Sequence, residues 1–228
     1  MSRPSRNTDT RLLKAGRDLL PQTGVSGLNV RQIAKKARVN LGMFHYYFKT
    51  KDVFARRVLQ EHYEEMFSEL QSEAQSGASP LENLRAVLMV FGRMARDKRK
   101  LLIALLRDVG LGEPATLDFL RVNLHRHVEL ILRLIAQAQA AGQIGPVAPL
   151  NAFALLMTAV NLPSIIGELA IRHGGKHGVG SVAALVEQQV LTDAAIAERL
   201  DVALAGLAVY RPAASQPQSD FADAQSAD

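Results

Sequence analysis

The chain contains no cysteine and no tryptophan, and only 5% of its residues are aromatic. The lack of cysteine excludes a disulfide framework and thiolate chemistry, and it suits a reducing compartment. We therefore expect a cytoplasmic protein. With 228 residues, 48% of them hydrophobic, the chain is long enough to bury a sizeable core in one or two domains.

Common catalytic motifs are also missing. We find no HExxH zinc motif, no GxSxG nucleophile elbow and no phosphate-binding glycine loop in a βαβ setting. The six histidines do not fall at metal-ligand spacings with carboxylates, and His125 and His127 lie on different faces of one predicted helix. The sequence therefore predicts that the protein is not an enzyme and has no cofactor and no metal site.

Neither a signal peptide nor a convincing membrane span is visible. The basic N-terminus, MSRPSRNTDTR, is not followed by an apolar segment. Residues 149–171 contain no Lys or Arg and only Glu168 as a charge, and this stretch is long enough to cross a bilayer. Several polar residues and Pro163 interrupt it, so we expect a helix buried between subunits and no membrane partner.

Positive charge is concentrated at the N-terminus. Residues 1–57 contain 13 Lys and Arg against three Asp and Glu, a net charge of +10, whereas the remaining 171 residues contain 14 against 19, a net charge of −5. A basic segment attached to an acidic body is typical of a nucleic-acid partner. An anionic membrane surface is the alternative, but these basic residues do not lie opposite a broad apolar face.

Helical periodicity runs through almost the whole chain, and no alternating strand pattern stands out. We predict an all-α fold of about nine helices, in which a three-helix N-terminal domain precedes a larger helical domain. The predicted domains are 1–50 and 51–210, with a helix over 51–75 linking them. Glycine-rich residues 174–180 are predicted to form a loop, and residues 211–228 a disordered tail.

Residues 28–54, LNVRQIAKKARVNLGMFHYYFKTKDVF, predict two short helices joined by a tight turn. Asn29, Asn40 and Thr50 stand where N-caps belong, so the predicted second and third helices span 30–37 and 41–48. Arg38 occupies the turn, where a left-handed conformation costs a non-glycine residue about 1 kcal/mol. This arrangement is typical of a helix-turn-helix unit that places a helix end in a DNA groove.

Residues 8–57 resemble the DNA-binding domain of the TetR family of bacterial transcriptional regulators. The resemblance rests on the aromatic and basic run Phe44-His45-Tyr46-Tyr47-Phe48-Lys49-Thr50-Lys51. It implies a helix-turn-helix domain that binds double-stranded operator DNA, a helical ligand-binding and dimerisation domain, and repression as the usual activity.

The predicted DNA contacts follow from this arrangement. The first turn of the third helix is apolar, so direct base recognition there would be contact with thymine methyl groups. By resemblance, His45 and Tyr46 contact bases or backbone, and Lys51 binds a phosphate. The candidate residues are Arg31, Leu41, Gly42, Met43, His45, Tyr46, Tyr47, Lys49 and Lys51. For Arg31 and His45, plain solvent exposure is the alternative. Because the third helix lacks bidentate base-reading side chains beyond its cap, we expect much of the specificity to come from DNA shape and site spacing.

A single three-helix DNA-binding domain buries too little surface on DNA for tight specific binding, so we expect a homodimer. Two helices near the C-terminus are apolar on more than one side, which suggests a four-helix interface, as in the family. The candidate interface residues are Phe153, Met157, Val160, Ile165, Ile196, Leu200, Leu204 and Leu207. A monomer that buries the predicted helix over residues 149–173 centrally is the alternative.

The middle of the chain is expected to hold a small, largely apolar effector. The candidate lining residues are Phe91, Met94, Leu105, Asn123, His127 and Asn161. Polar groups on a mostly apolar helix face suggest a pocket wall with an orienting hydrogen bond, although a core histidine bonded to a carbonyl explains His127 equally well. The predicted function is a dimeric repressor released from DNA by this effector. The alternative is a DNA-binding regulator or nucleoid-type binder without such a switch.

Overall fold

The computed structural model of the protein describes residues 7–173 and 180–211. Within these segments the chain forms ten α-helices and no β-strand, so the all-α prediction is confirmed. The helices are α1 (Thr8–Thr23), α2 (Val30–Ala37), α3 (Leu41–Phe48), α4 (Lys51–Glu73), α5 (Pro80–Asp97), α6 (Arg99–Gly110), α7 (Pro114–Ala140), α8 (Pro149–His173), α9 (Gly180–Gln189) and α10 (Asp193–Val209).

Side-chain caps fix the helix starts that the sequence predicted. Asn29 accepts hydrogen bonds from the backbone N–H of Arg31 and Gln32, and Asn40 accepts one from Gly42. Thr50 does the same for Val53 at the start of α4. Each cap satisfies an N–H that has no partner within its helix, so α2, α3 and α4 begin at defined residues.

The turn between α2 and α3 is built without glycine. Arg38 adopts φ 55° and ψ 47°, in the left-handed region, and its N–H donates to the carbonyl of Lys35 at 3.1 Å. The N–H of Val39 reaches back to the carbonyl of Ala34 at 3.0 Å, the bond that closes a Schellman-type helix end. Arg11 of α1 donates to the carbonyl of Arg38 at 2.8 Å, which stabilises the strained residue from outside the turn.

Helices α1 to α3, which we call the head, share one apolar core with the first half of α4. Leu101 of α6 and Ala115 of α7 belong to the same core, so the head is packed directly against the rest of the protein. The buried members are Leu12, Ala15, Leu20, Val25, Leu28, Ile33, Ala37, Phe44, Phe48, Phe54, Ala55, Val58, Leu59, Leu101 and Ala115.

Helices α4 to α10, which we call the body, enclose a second and larger core. Helix α5 is central to it and packs against α4, α7, α8 and α10. The buried residues of this core come from α4, α5, α7, α8 and α10, and from Ile144 in the segment between α7 and α8. Helix α4 contributes its first half to the head core and its second half, from Tyr63 to Leu70, to the body core, so it joins the two mechanically.

Among the described residues, α8 alone has the length and apolar composition of a membrane span. It packs against α5, α7, α9 and α10. Its one carboxylate, Glu168, is buried and accepts hydrogen bonds from Arg99 and Arg172 at 2.9 and 2.8 Å. These contacts place one side of α8 in the body core, whereas Leu155, Leu162 and Ile166 on its other side are exposed.

One helix was missed by the sequence analysis. Helix α9 lies between α8 and α10, and it brings the count in the described segments to ten rather than nine. The predicted loop over residues 174–180 lies outside the described residues except for Gly180, which begins α9, and the predicted tail over residues 211–228 lies outside them except for Arg211.

A close approach between α5 and α10 generates a stability prediction. A Cβ added to Gly92 would lie 2.5 Å from Cγ2 of Ile196, inside the body core. We expect Gly92→Ala to lower the free energy of unfolding, because overpacking costs about 1–3 kcal/mol, against a gain in helix propensity of about 1 kcal/mol. Thermal denaturation at fixed protein concentration measures the change. The control is Gly110→Ala in α6, where nothing lies within 4 Å of the added methyl group; equal melting temperatures for the two variants would contradict the packing argument.

Candidate nucleic-acid interface

Helix α3 has a buried aromatic side that fixes its orientation. Phe44 is completely buried and Phe48 nearly so, and both pack against Phe54 of α4, with ring centroids 5.1 and 4.9 Å apart. Burying aromatic rings of this size accounts for much of the stability of such a small unit. With these two side chains inside, the opposite side of α3 must face outward.

The outward side carries the predicted DNA contacts. Tyr46 is 67% exposed, and Gly42 and His45 are also exposed. Leu41 and Met43 in the first turn are half-buried. An eight-residue helix that presents a tyrosine, a histidine and a bare backbone segment at its surface has the shape needed to enter a major groove.

Tyr47 lies between the two sides. Its side chain is half-buried against the head core, and its ring contacts that of Tyr46 edge-on, with centroids 5.2 Å apart. This contact limits the directions in which the exposed Tyr46 ring can point.

The end of α3 holds a feature that the sequence analysis missed. Lys49 adopts φ 59° and ψ −57°, an unfavourable region for a non-glycine residue. Nδ1 of His45 lies 3.2 Å from the carbonyl oxygen of Lys49, and since a carbonyl only accepts, Nδ1 is the donor. His45 is therefore tied to its own helix end, and Nε2 remains as its second polar atom. The absence of glycine between α3 and α4 is the sequence signal that could have indicated the strained backbone at Lys49.

Two further predicted cationic contacts flank α3. Arg31 is exposed in the first turn of α2. Lys51, half-buried in the first turn of α4, donates from Nζ to the carbonyl of Ser26 at 3.4 Å. The backbone N–H groups at the start of α4, together with Lys51, form a favourable position for a phosphate.

The body contains a polar cluster within its apolar core, centred on Tyr63 of α4. The Tyr63 hydroxyl donates to the carbonyl of Asn123 at 2.7 Å and lies 3.2 Å from Nδ1 of His127. Because the hydroxyl hydrogen is used by the carbonyl, Nδ1 of His127 must donate to the Tyr63 oxygen. The side chains of Asn123 and Gln60 exchange two hydrogen bonds of 2.9 and 3.0 Å, so the cluster joins α4 to α7.

Burial changes the protonation of this cluster. Loss of solvent around His127 lowers its pKa to about 4, with a smaller contribution from the nearby His125. Burial also raises the pKa of Tyr63. At neutral pH both groups are uncharged, which suits a site for an apolar molecule with one polar end.

The predicted effector residues divide into those that this cluster brings together and those that lie elsewhere. Phe91 packs against His127, with ring centroids 5.4 Å apart, and Met94 packs against the same body core. Asn161 is half-buried on α8. Leu105 is placed wrongly by the prediction, because it packs against the head core and not the body core. Tyr63 was missed because α4 was treated mainly as a linker.

The predicted interface residues also need correction. Val160, Ile196, Leu200, Leu204 and Leu207 are buried in the protomer's own core, so their side chains cannot reach a second subunit. Phe153, Met157 and Ile165 are half-buried. The exposed apolar side chains of the same two helices and their ends are Leu150, Leu155, Leu162, Ile166 and Leu169 on α8, and Val202, Val209 and Tyr210 on α10 and just after it.

The lowered pKa of His127 predicts a pH effect on stability. The folded state binds this proton only near pH 4, whereas the unfolded state binds it near pH 6.5, so acid favours unfolding between these values. The resulting loss of unfolding free energy is absent above pH 6.5, grows as the pH falls and is complete below about pH 4. We expect His127→Gln to reduce the loss of unfolding free energy over this range in urea titrations. His125→Gln, which changes an exposed histidine on the same helix, should alter the wild-type profile only slightly, because His125 makes the smaller contribution to the lowered pKa of His127; identical profiles for both variants would contradict the assignment.

Comparison with known proteins places this head among regulators. The family model for bacterial regulatory proteins of the tetR family matches residues 12–58, the segment that contains α2 and α3. The repressor NemR of Escherichia coli is 37% identical over 71 residues, which cover 30% of this chain and 36% of NemR. The regulator AcuR of Cereibacter sphaeroides is 35% identical over 88 residues, 38% of each chain. The chain thus spans little more than a third of the length of these relatives.

The fold agrees over a larger part of the chain. The regulator FadR of Bacillus subtilis, solved in complex with stearoyl-CoA, superposes with a TM-score of 0.64 at 15% identity and covers 86% of this chain and 98% of its own. At that identity the likeness concerns the fold alone. The match to the tetR family of bacterial regulatory proteins therefore concerns residues 12–58, and over the longer part of the chain the likeness is one of fold.

Proposed function

We propose that the protein is a sequence-specific, DNA-binding transcriptional regulator that acts as a homodimer, represses transcription and is released from its operator by a small, largely apolar effector. It is not an enzyme, and it acts in the cytoplasm on nucleoid DNA. The observation that carries the proposal is the outward side of α3, where Tyr46 and His45 are exposed on a segment of net charge +10. The repressor NemR, which matches the head, supports repression as the direction of control.

The proposed DNA contacts are those predicted from the sequence, with roles assigned by position. Tyr46, His45 and the first turn of α3 contact base edges, and Lys51, Lys49 and Arg31 contact phosphates. Direct hydrogen-bond readout is limited because α3 holds no arginine, asparagine or glutamine. Half-site spacing and DNA shape therefore supply much of the specificity.

The proposed dimer interface lies on the exposed apolar side of α8 and α10. Leu155, Leu162, Ile166 and Leu169 recur at helical spacing along α8, and each is at least 41% exposed. A contiguous apolar surface of this kind marks a protein–protein contact in a soluble protein. Two copies would form a four-helix arrangement and place one head at each end of a two-fold symmetric site.

The proposed effector site surrounds Tyr63 and His127. Methionines are the most adaptable core side chains, and Met66, Met89, Met94 and Met157 all belong to or pack against the body core. A core of this composition can rearrange around an apolar molecule, and FadR, which is similar in fold, has been solved in complex with stearoyl-CoA. The effector acts only if it binds the released state more tightly than the DNA-bound state.

The primary test is selection of DNA by the full chain. A random duplex pool, enriched by repeated binding and elution, should yield a two-fold symmetric consensus. If no sequence is enriched over the starting pool, the protein is not a sequence-specific regulator.

A single phosphate contact is predicted for Lys51. We expect Lys51→Ala to weaken binding about equally on selected and random duplexes, and to reduce the slope of log affinity against log salt by about 1. Fluorescence anisotropy over a salt series measures both quantities. Lys100→Ala removes the same charge from an exposed position on α6 and should leave the slope at the wild-type value. A slope unchanged by Lys51→Ala would remove Lys51 from the contact set.

The dimer face is tested by introducing charge. Ile166→Glu should shift the protein from dimer to monomer in sedimentation-velocity experiments, because it buries a carboxylate at an apolar contact. Val122→Glu on α7 is the matched control, since Val122 is 57% exposed and Ile166 is 55% exposed. If Val122→Glu dissociates the dimer and Ile166→Glu does not, the interface lies on another face.

A further inference from the structure

A buried carboxylate connects the body to the head at a point that the proposed DNA contacts do not include. Asp108, near the end of α6, has no exposed surface. Its Oδ2 accepts a hydrogen bond from the N–H of Val25 at 2.6 Å, and its Oδ1 accepts one from the hydroxyl of Ser26 at 2.6 Å. The N–H of Ser26 lies 3.4 Å from the same Oδ1. Three head donors therefore converge on one body carboxylate.

The turn that meets Asp108 is shaped to fit this side chain. Gly24 has φ +65°, and a Cβ there would lie 2.7 Å from both carboxylate oxygens of Asp108. Glycine is thus required both by the backbone conformation and by the space. The neighbouring Arg107 donates from its guanidinium to the carbonyl of Thr23. The end of α6 consequently binds each residue of the turn from Thr23 to Ser26 by a hydrogen bond or by close contact.

The same turn is bonded on its other side to the DNA-facing end of α4. The carbonyl of Ser26 accepts the hydrogen bond from Nζ of Lys51, the proposed phosphate contact. A continuous set of bonds therefore runs from Asp108 through Ser26 to Lys51. The packing of Leu101 into the head core provides a second attachment of α6 to the head, but apolar contacts are less directional than a carboxylate with converging donors.

We propose that Asp108 is a positioning residue for DNA binding, and that its contacts with Val25 and Ser26 fix the angle at which the body presents the head. In a dimer, two such angles determine the separation and rotation of the two α3 helices. Asp108 thereby determines which half-site spacing the protein accepts, without touching DNA. This inference depends on the proposed function, because it assigns a residue to the spacing of an operator.

A purely structural carboxylate would behave differently. Its loss would weaken the fold, and DNA of every spacing would then be bound less well by the same factor. Loss of a positioning contact instead lets the head rotate, so the preferred spacing loses affinity while unfavourable spacings lose less or gain. The ratio of affinities between spacings therefore separates the two roles, and the absolute affinity does not.

The test uses the full chain and a duplex selected by the wild-type protein, with zero, one or two base pairs inserted at its centre. Each insertion turns one half-site by about 35° and moves it by about 3.4 Å, so we expect the wild type to lose about tenfold or more per step. Asp108→Asn keeps the side-chain size but replaces one acceptor oxygen by an amide donor that faces the head donors. We expect the affinity loss per inserted base pair to be at least about three times smaller in Asp108→Asn than in the wild type. The salt slope on the parent duplex should be unchanged, because no phosphate contact is lost.

Two further variants complete the design. Ser26→Ala removes the 2.6 Å hydrogen bond from the Ser26 hydroxyl and retains the carboxylate. It should therefore reduce the affinity loss on insertion by a smaller factor than Asp108→Asn does. It also provides the test if Asp108→Asn does not fold. Asp97→Asn removes the same charge from an exposed position at the end of α5 and should keep the wild-type spacing ratio.

The outcomes are distinguishable. If Asp108→Asn and Ser26→Ala retain the wild-type ratio between spacings, or if the wild type binds all spacings equally, the inference is overturned while the regulator proposal stands. If the ratio of affinities between spacings changes equally in Asp97→Asn, the effect is one of charge, and the positioning role of Asp108 is also overturned. If the wild type selects no duplex, the regulator proposal itself fails.

Discussion

The aromatic contact between α3 and α4 is the constraint on which the proposed DNA-binding surface depends. Phe44 and Phe48 are inside because Phe54 offers them a buried partner, and the helix period then leaves Tyr46 and His45 outside. The caps at Asn40 and Thr50 fix where α3 begins and where α4 follows it. A helix of eight residues is too short to be stable alone, so its position comes almost entirely from this packing.

Helix α4 and helix α6 connect this surface to the body in different ways. Helix α4 carries Tyr63 in the body core and Lys51, the proposed phosphate contact, in its first turn, so a rearrangement around Tyr63 has a direct route to the head. Helix α6 holds the turn between α1 and α2 through Asp108. In the proposed mechanism, an effector that shifts one helix relative to the other rotates the head and so alters DNA affinity.

Local features were predictable from the sequence, and choices between helix faces were not. The caps and the left-handed Arg38 follow from short-range chemistry, which the sequence displays directly. Helices α8 and α10 are apolar on two sides, so periodicity could not separate the side that packs inward, with Val160 and Leu200, from the exposed side with Ile166. The Asp108 contact joins residues 83 positions apart, and a single aspartate in an amphipathic helix gives no signal of such a partner. Helix α9 is short and follows the glycine-rich segment that was predicted to be a loop, and no helix was predicted for its residues.

The central claim is that a dimer inserts two copies of α3 into the major groove on one side of a duplex. Hydroxyl-radical footprinting of the full chain on a selected duplex tests it most directly. The account predicts two protected segments, related by two-fold symmetry and separated by about one helical turn or a multiple of it. A single continuous protected stretch without symmetry, or one protected segment that saturates with a single protomer, would contradict it.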